Sequence, residues 1–203
     1  MSVAWRPARR SPIALRDSGE LYQTPIGCTE ALVLSGEIGR LAGAGVVWEP
    51  ASGKGAVVHV LKAAGLRVYA TDLTVYPGAD SGILAPVDFL AERSAPAGVS
   101  VICTNPPGRL ADRFVRQGLE LGVPVVAFLR WQAAEGAGRV RSDIMDWYCR
   151  RAWLGRQRPE MMHRKDWKGP RQKRAGLPYA WFVFEPFPCD AGFVVKRINW
   201  SLS

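Results

Sequence analysis

Two acidic residues and a glycine-containing loop form the most informative pattern in the first half of this sequence. Glu49 follows the apolar run 46–48 and opens the loop EPASGKG, and Asp72 follows a second apolar segment, 66–70. Glycine lets a backbone approach a ligand closely, and ligands of open α/β sheets bind beyond the carboxyl ends of the strands. We therefore expect Glu49 and Asp72 to face one crevice, where Asp72 would accept hydrogen bonds from the hydroxyls of a ribose.

The glycine loop has two other interpretations. A phosphate-binding P-loop is excluded, because Lys54 lies between the two glycines and neither Lys-Ser nor Lys-Thr follows the second one. An ordinary turn of a strand-helix-strand unit, with a helix over 56–64 that ends at Gly65, remains open.

A second polar segment, TNPPG at 104–108, follows the apolar run 99–103, which is typical of a buried strand. That strand would bring Asn105 to the same edge of the sheet as Glu49 and Asp72. The two prolines rigidify the segment and hold its hydrogen-bond acceptors in place. A plain strand-ending turn would favour the same residue types and remains the alternative.

Together, the loop EPASGKG, the pair Asp72-Leu73 and the segment TNPP resemble the motifs of S-adenosylmethionine-dependent methyltransferases. The similarity is to the amino-group type, which methylates N6 of adenine or N4 of cytosine, in its small phage-like form. It runs from about residue 22 to about residue 185 and implies S-adenosylmethionine as the cofactor.

The resemblance implies a catalytic role for Asn105, Pro106 and Pro107. The side-chain oxygen of Asn105 and the carbonyl of Pro106 would accept the two hydrogens of the target amine, and Pro107 would help to rigidify the loop. Positioning and electrostatics would lower the barrier without a metal or a strong base.

The resemblance also implies a cofactor-binding set. Its members are Tyr22, Thr24, Pro25, Glu49, Pro50, Ala51, Ser52, Gly53, Gly55, Asp72, Leu73, Asp88, Phe89 and Asn105. The Y-x-T-P segment would pack over the methionine part, and Asp88 and Phe89 would contact the adenine. Two alternatives stay open: Thr24 and Pro25 could begin a helix that runs toward Leu41, as N-cap and first helical residue, and Asp88 could be a surface turn acid.

The sequence departs from the family at Gly108, where a tyrosine, phenylalanine or tryptophan is usual. Glycine cannot stack on a base, so another residue would have to supply the ring. Trp131, which follows the apolar run 123–129, and Trp167 are candidates. Arg130 and Trp131 also begin a stretch similar to an arginine-aromatic-glutamate-glycine stretch of small phage-type adenine methyltransferases. We therefore place Gly108, Arg130 and Trp131 on the substrate side.

Residues 155–176 form a strongly basic loop with interleaved aromatic residues, a composition that suits phosphate neutralisation and base stacking. The residues expected to contact nucleic acid there are Arg164, Lys165, Trp167, Lys168, Arg171, Lys173 and Arg174. A solvated surface loop is the alternative. Residues 1–20 are expected to be a flexible basic arm, either a solvated tail or a further nucleic-acid contact.

Composition limits the class of protein. The 203 residues carry a formal net charge of +9, which favours a polyanionic partner. Four widely spaced cysteines (Cys28, Cys103, Cys149 and Cys189) predict reduced thiols in a cytoplasmic protein. With only two histidines, no metal site is expected. No apolar run approaches the ~20 residues of a membrane span.

These observations predict an α/β protein: a single-domain, doubly wound, mostly parallel sheet of the Rossmann-like class I methyltransferase type, with a closing antiparallel strand. Helices are expected over 110–121 and 141–154, and strands over 179–185 and 193–200 as a hairpin at the sheet edge. The expected activity is methylation of a nucleic-acid base, first of all N6 of adenine in DNA. RNA, N4 of cytosine, a protein glutamine amide, and a binding protein that has lost turnover are the alternatives.

Overall fold

Strands and helices alternate through the part of the chain that the computed structural model describes, residues 21–135, 142–159 and 177–200. The helices are α1 (Ile26–Leu34), α2 (Glu37–Ala42), α3 (Ala56–Ala63), α4 (Ala111–Glu120) and α5 (Ser142–Tyr148). The strands are β1 (Val46–Glu49), β2 (Val68–Thr71), β3 (Ile83–Leu84), β4 (Val99–Thr104), β5 (Val125–Arg130), β6 (Cys149–Gly155), β7 (Tyr179–Phe184) and β8 (Val194–Ile198). Two short 3-10 helices span Phe89–Ala91 and Trp131–Ala134.

The eight strands form one sheet in the order β3-β2-β1-β4-β5-β7-β6-β8. The first five of these are parallel to one another. β7 runs antiparallel to both β5 and β6, and β8 is parallel to β6. The direction of winding reverses between β1 and β4, and such a switch point opens a ligand crevice beyond the carboxyl ends of the strands. The prediction of a doubly wound, mostly parallel sheet is confirmed.

Helices cover both faces of the sheet. Because successive side chains of a strand point to opposite faces, Val101 and Cys103 pack with α1, α2 and α3, whereas Ile102 packs with α4 and α5. The central strands β1, β4 and β5 are buried on both sides, which explains their near-continuous apolar sequences. This arrangement of helices around one sheet determines which residues at the strand ends reach the crevice.

The predicted helix over 141–154 is wrong in its second half. α5 ends at Tyr148, and Cys149–Gly155 forms strand β6, which lies between β7 and β8. The segment is too short and mixed for its periodicity to separate helix from strand. Pairing along both of its edges decides in favour of the strand.

The predicted hairpin of the last two strands is also wrong. β7 and β8 are not neighbours, because β6 lies between them. The antiparallel strand therefore sits inside the sheet, and β8 forms its edge. β8 is exposed over its first four residues, as expected for an edge strand.

The helix before β1 differs from its prediction at both ends. α1 begins at Ile26 with Pro25 in the N-cap position and without a side-chain cap. Thr24 is buried instead of capping the helix. The helix does not continue toward Leu41. It breaks at Gly36, which has the left-handed conformation with a φ of 76° that glycine adopts readily, and α2 follows.

Candidate functional site

A cavity of about 270 Å³ opens beyond the carboxyl ends of β1, β2 and β4. It lies at the switch point of the sheet, where the sequence places its acidic and amide residues. Predicted site residues that line it are Tyr22, Thr24, Glu49, Ala51, Ser52, Gly53, Asp72, Leu73, Asp88, Phe89, Asn105, Pro106 and Pro107. The fold thus brings both sequence motifs to one cavity.

Glu49 is a buried carboxyl group at the end of β1, with a relative exposure of 1%. Its Oε1 accepts a hydrogen bond from the backbone N–H of Ala51 at 3.0 Å. The pKa of Glu49 is raised to about 8, mainly by burial and to a smaller extent by Asp72, while the neighbouring Thr104 hydroxyl and the Ala51 N–H act in the opposite direction. The hydroxyl of Thr104 lies beside this carboxyl but has no hydrogen-bond partner in good geometry. Glu49 is therefore mainly neutral at pH 7 and can donate as well as accept a hydrogen bond.

Asp72 ties the end of β2 to the glycine loop. Its Oδ2 accepts from the backbone N–H of Gly53 at 2.8 Å, and its Oδ1 accepts from the N–H of Thr74 at 2.7 Å. Burial raises the pKa of Asp72, and these N–H groups together with that of Leu73 act against the rise. Each carboxylate oxygen has a second acceptor site, so Asp72 can position the loop and still accept from a ligand.

The backbone conformation and the surroundings of residue 53 both favour glycine. Its φ is 56°, and a Cβ at this position would lie 2.8 Å from Cδ1 of Leu21. The side chain of any other residue would therefore occupy the space between the loop and residues 21–24, which form one wall of the cavity.

Asn105 follows β4 and is half-buried. Its Nδ2 donates to the backbone carbonyl of Tyr22 at 3.0 Å. This hydrogen bond fixes the amide plane, and nothing in the described residues donates to its Oδ1. Pro106 is buried directly after it. The amide oxygen is thus a preoriented acceptor at the wall of the cavity.

The far end of the cavity is apolar. Phe89 is 2% exposed, packs edge-on against Trp48 with ring centroids 5.0 Å apart, and contacts Phe114 at 4.9 Å. The Oδ1 of Asp88 accepts from the N–H of Leu90 and caps the short helix that carries Phe89. This end offers a planar aromatic wall beside an acidic rim.

Several predicted residues lie elsewhere. Pro25, Pro50 and Gly55 do not line the cavity, and a Cβ on Gly55 would meet Asp80 and not the cavity. Among the substrate-side predictions, Gly108, Arg130 and Trp131 are also outside its lining.

Trp131 begins the 3-10 helix that follows β5. Its ring stacks on Phe182 at 5.8 Å, in the core that α4 and α5 cover. The ring of Trp131 thus lies against the core and outside the lining of the cavity, and its role as the ring missing at Gly108 stays a prediction. The basic-loop residues Arg164, Lys165, Trp167, Lys168, Arg171, Lys173 and Arg174, and the N-terminal arm, lie outside the described residues.

The cavity also contains residues that sequence reasoning missed. The main ones are Lys54, Tyr76, Arg109, Leu110 and Phe114. Arg109 directly follows the TNPPG segment, so its position was a usable signal. Tyr76 lies in the turn-rich segment after β2, and its pKa is raised by burial and by Asp72. Phe114 looks like an ordinary core residue of a helix, and only the fold brings it to the cavity.

The side chains present fit S-adenosylmethionine. The carboxylates of Asp72 and Asp88 suit a ligand with a positive charge and hydroxyl donors, the carboxyl of Glu49 offers further hydrogen bonds, and the wall formed by Leu73 and Phe89 suits an adenine ring. The glycine at residue 53 keeps the approach to the loop open. Within the described residues, no group of three or more histidine, cysteine or acidic side chains is placed to hold a metal ion.

Several solved structures superpose on most of this chain. A candidate RNA methyltransferase from Pyrococcus horikoshii superposes with a TM-score of 0.58 at 15% identity, covering 82% of this chain and 86% of the other. The modification subunit of a candidate type I restriction enzyme from Vibrio vulnificus gives 0.54 at 13% identity, with 90% of this chain and 48% of that subunit covered. A candidate hemolysin from Lactococcus lactis gives 0.55 at 12% identity, over 87% and 95% of the two chains.

The chain has the class I methyltransferase fold. At these identities the likeness shows the architecture alone. No protein-family model and no curated protein matches the sequence. In the ranges that the structure describes, no helix is both long and apolar enough to cross a lipid bilayer. Within the class I methyltransferase fold, the cavity beyond β1, β2 and β4 is the candidate site.

Proposed function

We propose that this protein is an S-adenosylmethionine-dependent methyltransferase that acts on the exocyclic amine of a nucleic-acid base, with N6 of adenine in DNA as the first substrate to test. The supporting observation is the amide of Asn105, which is fixed by the Tyr22 carbonyl and lines the same cavity as the glycine loop and Asp72. The net charge of +9 favours a polyanionic substrate. Two structural neighbours are named for RNA methylation and for restriction-modification, which agrees with this substrate class.

An exocyclic amine is a poor nucleophile, because its lone pair is delocalised into the ring. In our proposal the Oδ1 of Asn105 and the carbonyl of Pro106 accept hydrogen bonds from the two N–H groups of the amine and favour a pyramidal nitrogen. One of these two protons is released to solvent once the nitrogen carries the methyl group. Because Asn105 is tied to Tyr22 and two prolines stiffen the loop, these acceptors need little reorganisation during the reaction. For a duplex substrate, the base would have to be flipped out of the stack.

The cofactor residues act by binding and orientation. S-adenosylmethionine, when bound, supplies a methyl group on a sulfonium sulfur. Asp72 would accept from its ribose, the loop through Gly53 would approach its methionine part, and the wall at Phe89 would cover its adenine. Asp88, at the rim of the same wall, would accept from the adenine amino group.

The proposed activity is tested by incubating the protein with labelled S-adenosylmethionine and separate pools of DNA, RNA and protein. Digestion to nucleosides should give labelled N6-methyl-2′-deoxyadenosine from DNA. Label in RNA nucleosides would show that RNA is the substrate, and label in glutamine would show a protein target. Cofactor binding without methyl transfer to any pool would exclude the proposed activity.

Asn105→Ala tests the proposed role of the amide. We expect kcat to fall by about 10²–10³-fold, the cost of removing one transition-state contact, with cofactor affinity roughly unchanged. Asn199→Ala, at an exposed position beyond β8, is the matched control and should keep wild-type activity. A wild-type kcat in Asn105→Ala would refute activation of the amine by this side chain.

A further inference from the structure

Arg130 is held at the carboxyl end of β5 by a neutral partner. Its Nε donates to the hydroxyl of Tyr179 at 3.3 Å, and the two residues stand directly opposite each other in the β5–β7 ladder. The ring of Tyr179 is itself fixed, because it stacks on Phe128 with centroids 4.9 Å apart and an interplanar angle of 22°. The backbone is tied nearby as well, where the N–H of Trp131 donates to the carbonyl of Pro178. Arg130 is therefore immobilised in a rigid setting.

The charge of Arg130 is not neutralised in the described residues. Three other arginines, Arg40, Arg116 and Arg151, each form salt bridges with carboxylates and serve to join elements of the fold. No carboxylate of the described residues lies within salt-bridge distance of Arg130. A guanidinium has five N–H donors, and the Tyr179 hydroxyl uses only the one on Nε. The donors on the two terminal nitrogens remain for an external acceptor.

The position of Arg130 relates it to Asn105. Thr104 pairs with Ala127 in the β4–β5 ladder, so Arg130 lies two residues beyond the level of Asn105 on the adjacent strand. At ~3.3 Å per residue and ~4.8 Å between strands, the two Cα atoms are about 8 Å apart. The side chain of Arg130 leaves β5 on the face of Phe128, two residues earlier, and of Tyr179. The amide of Asn105 donates to the carbonyl of Tyr22, which leads into α1 on that same face.

We propose that Arg130 and Tyr179 form a subsite for a backbone phosphate of the polynucleotide whose base reaches Asn105. Arg130 does not line the cofactor cavity, so the proposal assigns this phosphate to the substrate and not to the cofactor. A planar guanidinium binds phosphate through two parallel hydrogen bonds, and Tyr179 is the positioning residue that sets the orientation of this plane. The inference rests on the proposed function, because it assigns the phosphate to a nucleic-acid substrate.

The test measures binding of a fluorescently labelled oligonucleotide, single-stranded and duplex, over a series of salt concentrations. Arg130→Gln should reduce the slope of log K against log salt by about 0.7 on the single strand and about 0.9 on the duplex. Tyr179→Phe keeps the ring but loses the hydroxyl, and should weaken binding about 2–10-fold with the slope nearly unchanged, as expected for one hydrogen bond. In methylation assays both variants should raise KM and keep kcat.

Arg67→Gln is the matched control, because it removes the same charge at an exposed position. Arg67 directly precedes β2 and so lies at the amino ends of the parallel strands, away from the cavity. Arg67→Gln should keep the wild-type slope. Cofactor affinity and thermal midpoint should be the same in all three variants. If Arg130→Gln does not fold, Arg130→Lys replaces it, and is expected to keep the slope but lose affinity.

An identical salt slope for Arg130→Gln, Arg67→Gln and the wild type would overturn the subsite. The subsite would also be overturned if Arg130→Gln weakened the binding of AMP as much as it weakened the binding of the oligonucleotide. The ligand of Arg130 would then be the phosphate of a mononucleotide. Failure of the wild type to bind any oligonucleotide is a different result, because it refutes the proposed nucleic-acid function itself.

Discussion

Removing the buried carboxyl of Glu49 should change how the stability of the protein depends on pH. The pKa of Glu49 is raised from its ordinary value of 4.5 to about 8 by burial, so the folded state holds a proton that the unfolded state has released between these values. A folded state that binds more protons loses stability as pH rises. The free energy of unfolding should therefore fall from about pH 4.5 to about pH 8 and level off above this range.

The size of this effect follows from the same interval. At ~1.4 kcal/mol for each pH unit, the rise from 4.5 to about 8 gives a ceiling of about 5 kcal/mol. Glu49→Gln keeps an oxygen that can accept from the Ala51 N–H but cannot ionise. Wild type and variant should be similar below pH 4.5, and the variant should become progressively more stable than the wild type up to about pH 8.

Urea unfolding followed by circular dichroism, repeated across this pH range, measures the difference directly. Asp72, whose pKa is also raised by burial, is present in both proteins, so its contribution largely cancels. Glu30→Gln, on the exposed side of α1, is the control for loss of a carboxyl at the surface. Parallel pH profiles for Glu49→Gln and the wild type would refute the idea that Glu49 is buried as a neutral acid.

Two further predictions concern the ligands. Gly53→Val should abolish S-adenosylmethionine binding in calorimetry, because the added side chain fills the loop. Gly65→Val, also at a positive φ but after α3, is the control and should keep binding. Unchanged affinity in folded Gly53→Val would exclude this cofactor site. Replacing Lys168, Arg171 and Lys173 together should flatten the salt slope of duplex binding by up to about 0.9 for each lost phosphate contact. An unaltered slope would mean that this loop is a solvated surface.

The local sequence determined the central part of the fold. β1, β2, β4 and β5 and helices α3 and α4 were all predicted close to their observed bounds. Strands buried on both faces need apolar runs, and glycine and proline mark where those runs stop. The convergence of Glu49, Asp72 and Asn105 followed as well, because parallel strands present their carboxyl ends at one edge of the sheet.

The tertiary structure alone decided the last third of the described chain. The sequence CRRAWLG of β6 has no strong preference, and it became a strand because β7 and β8 offered backbone partners on both sides. That placement separated two strands that looked like a hairpin. Pairing between distant segments does not leave a local pattern, so no window of sequence could predict it.

The fold also decided which aromatic and basic side chains face the site. Trp131 and Arg130 are neighbours in sequence, yet Trp131 packs in the core under α4 and α5, while Arg130 emerges beside Tyr179 on the face of Asn105. Arg130 is the last residue of β5, whereas Trp131 is the first residue of a 3-10 helix, so the two side chains diverge. Sequence could name both residues as candidates, but only the fold places the ring of Trp131 against the core and Arg130 beside Tyr179.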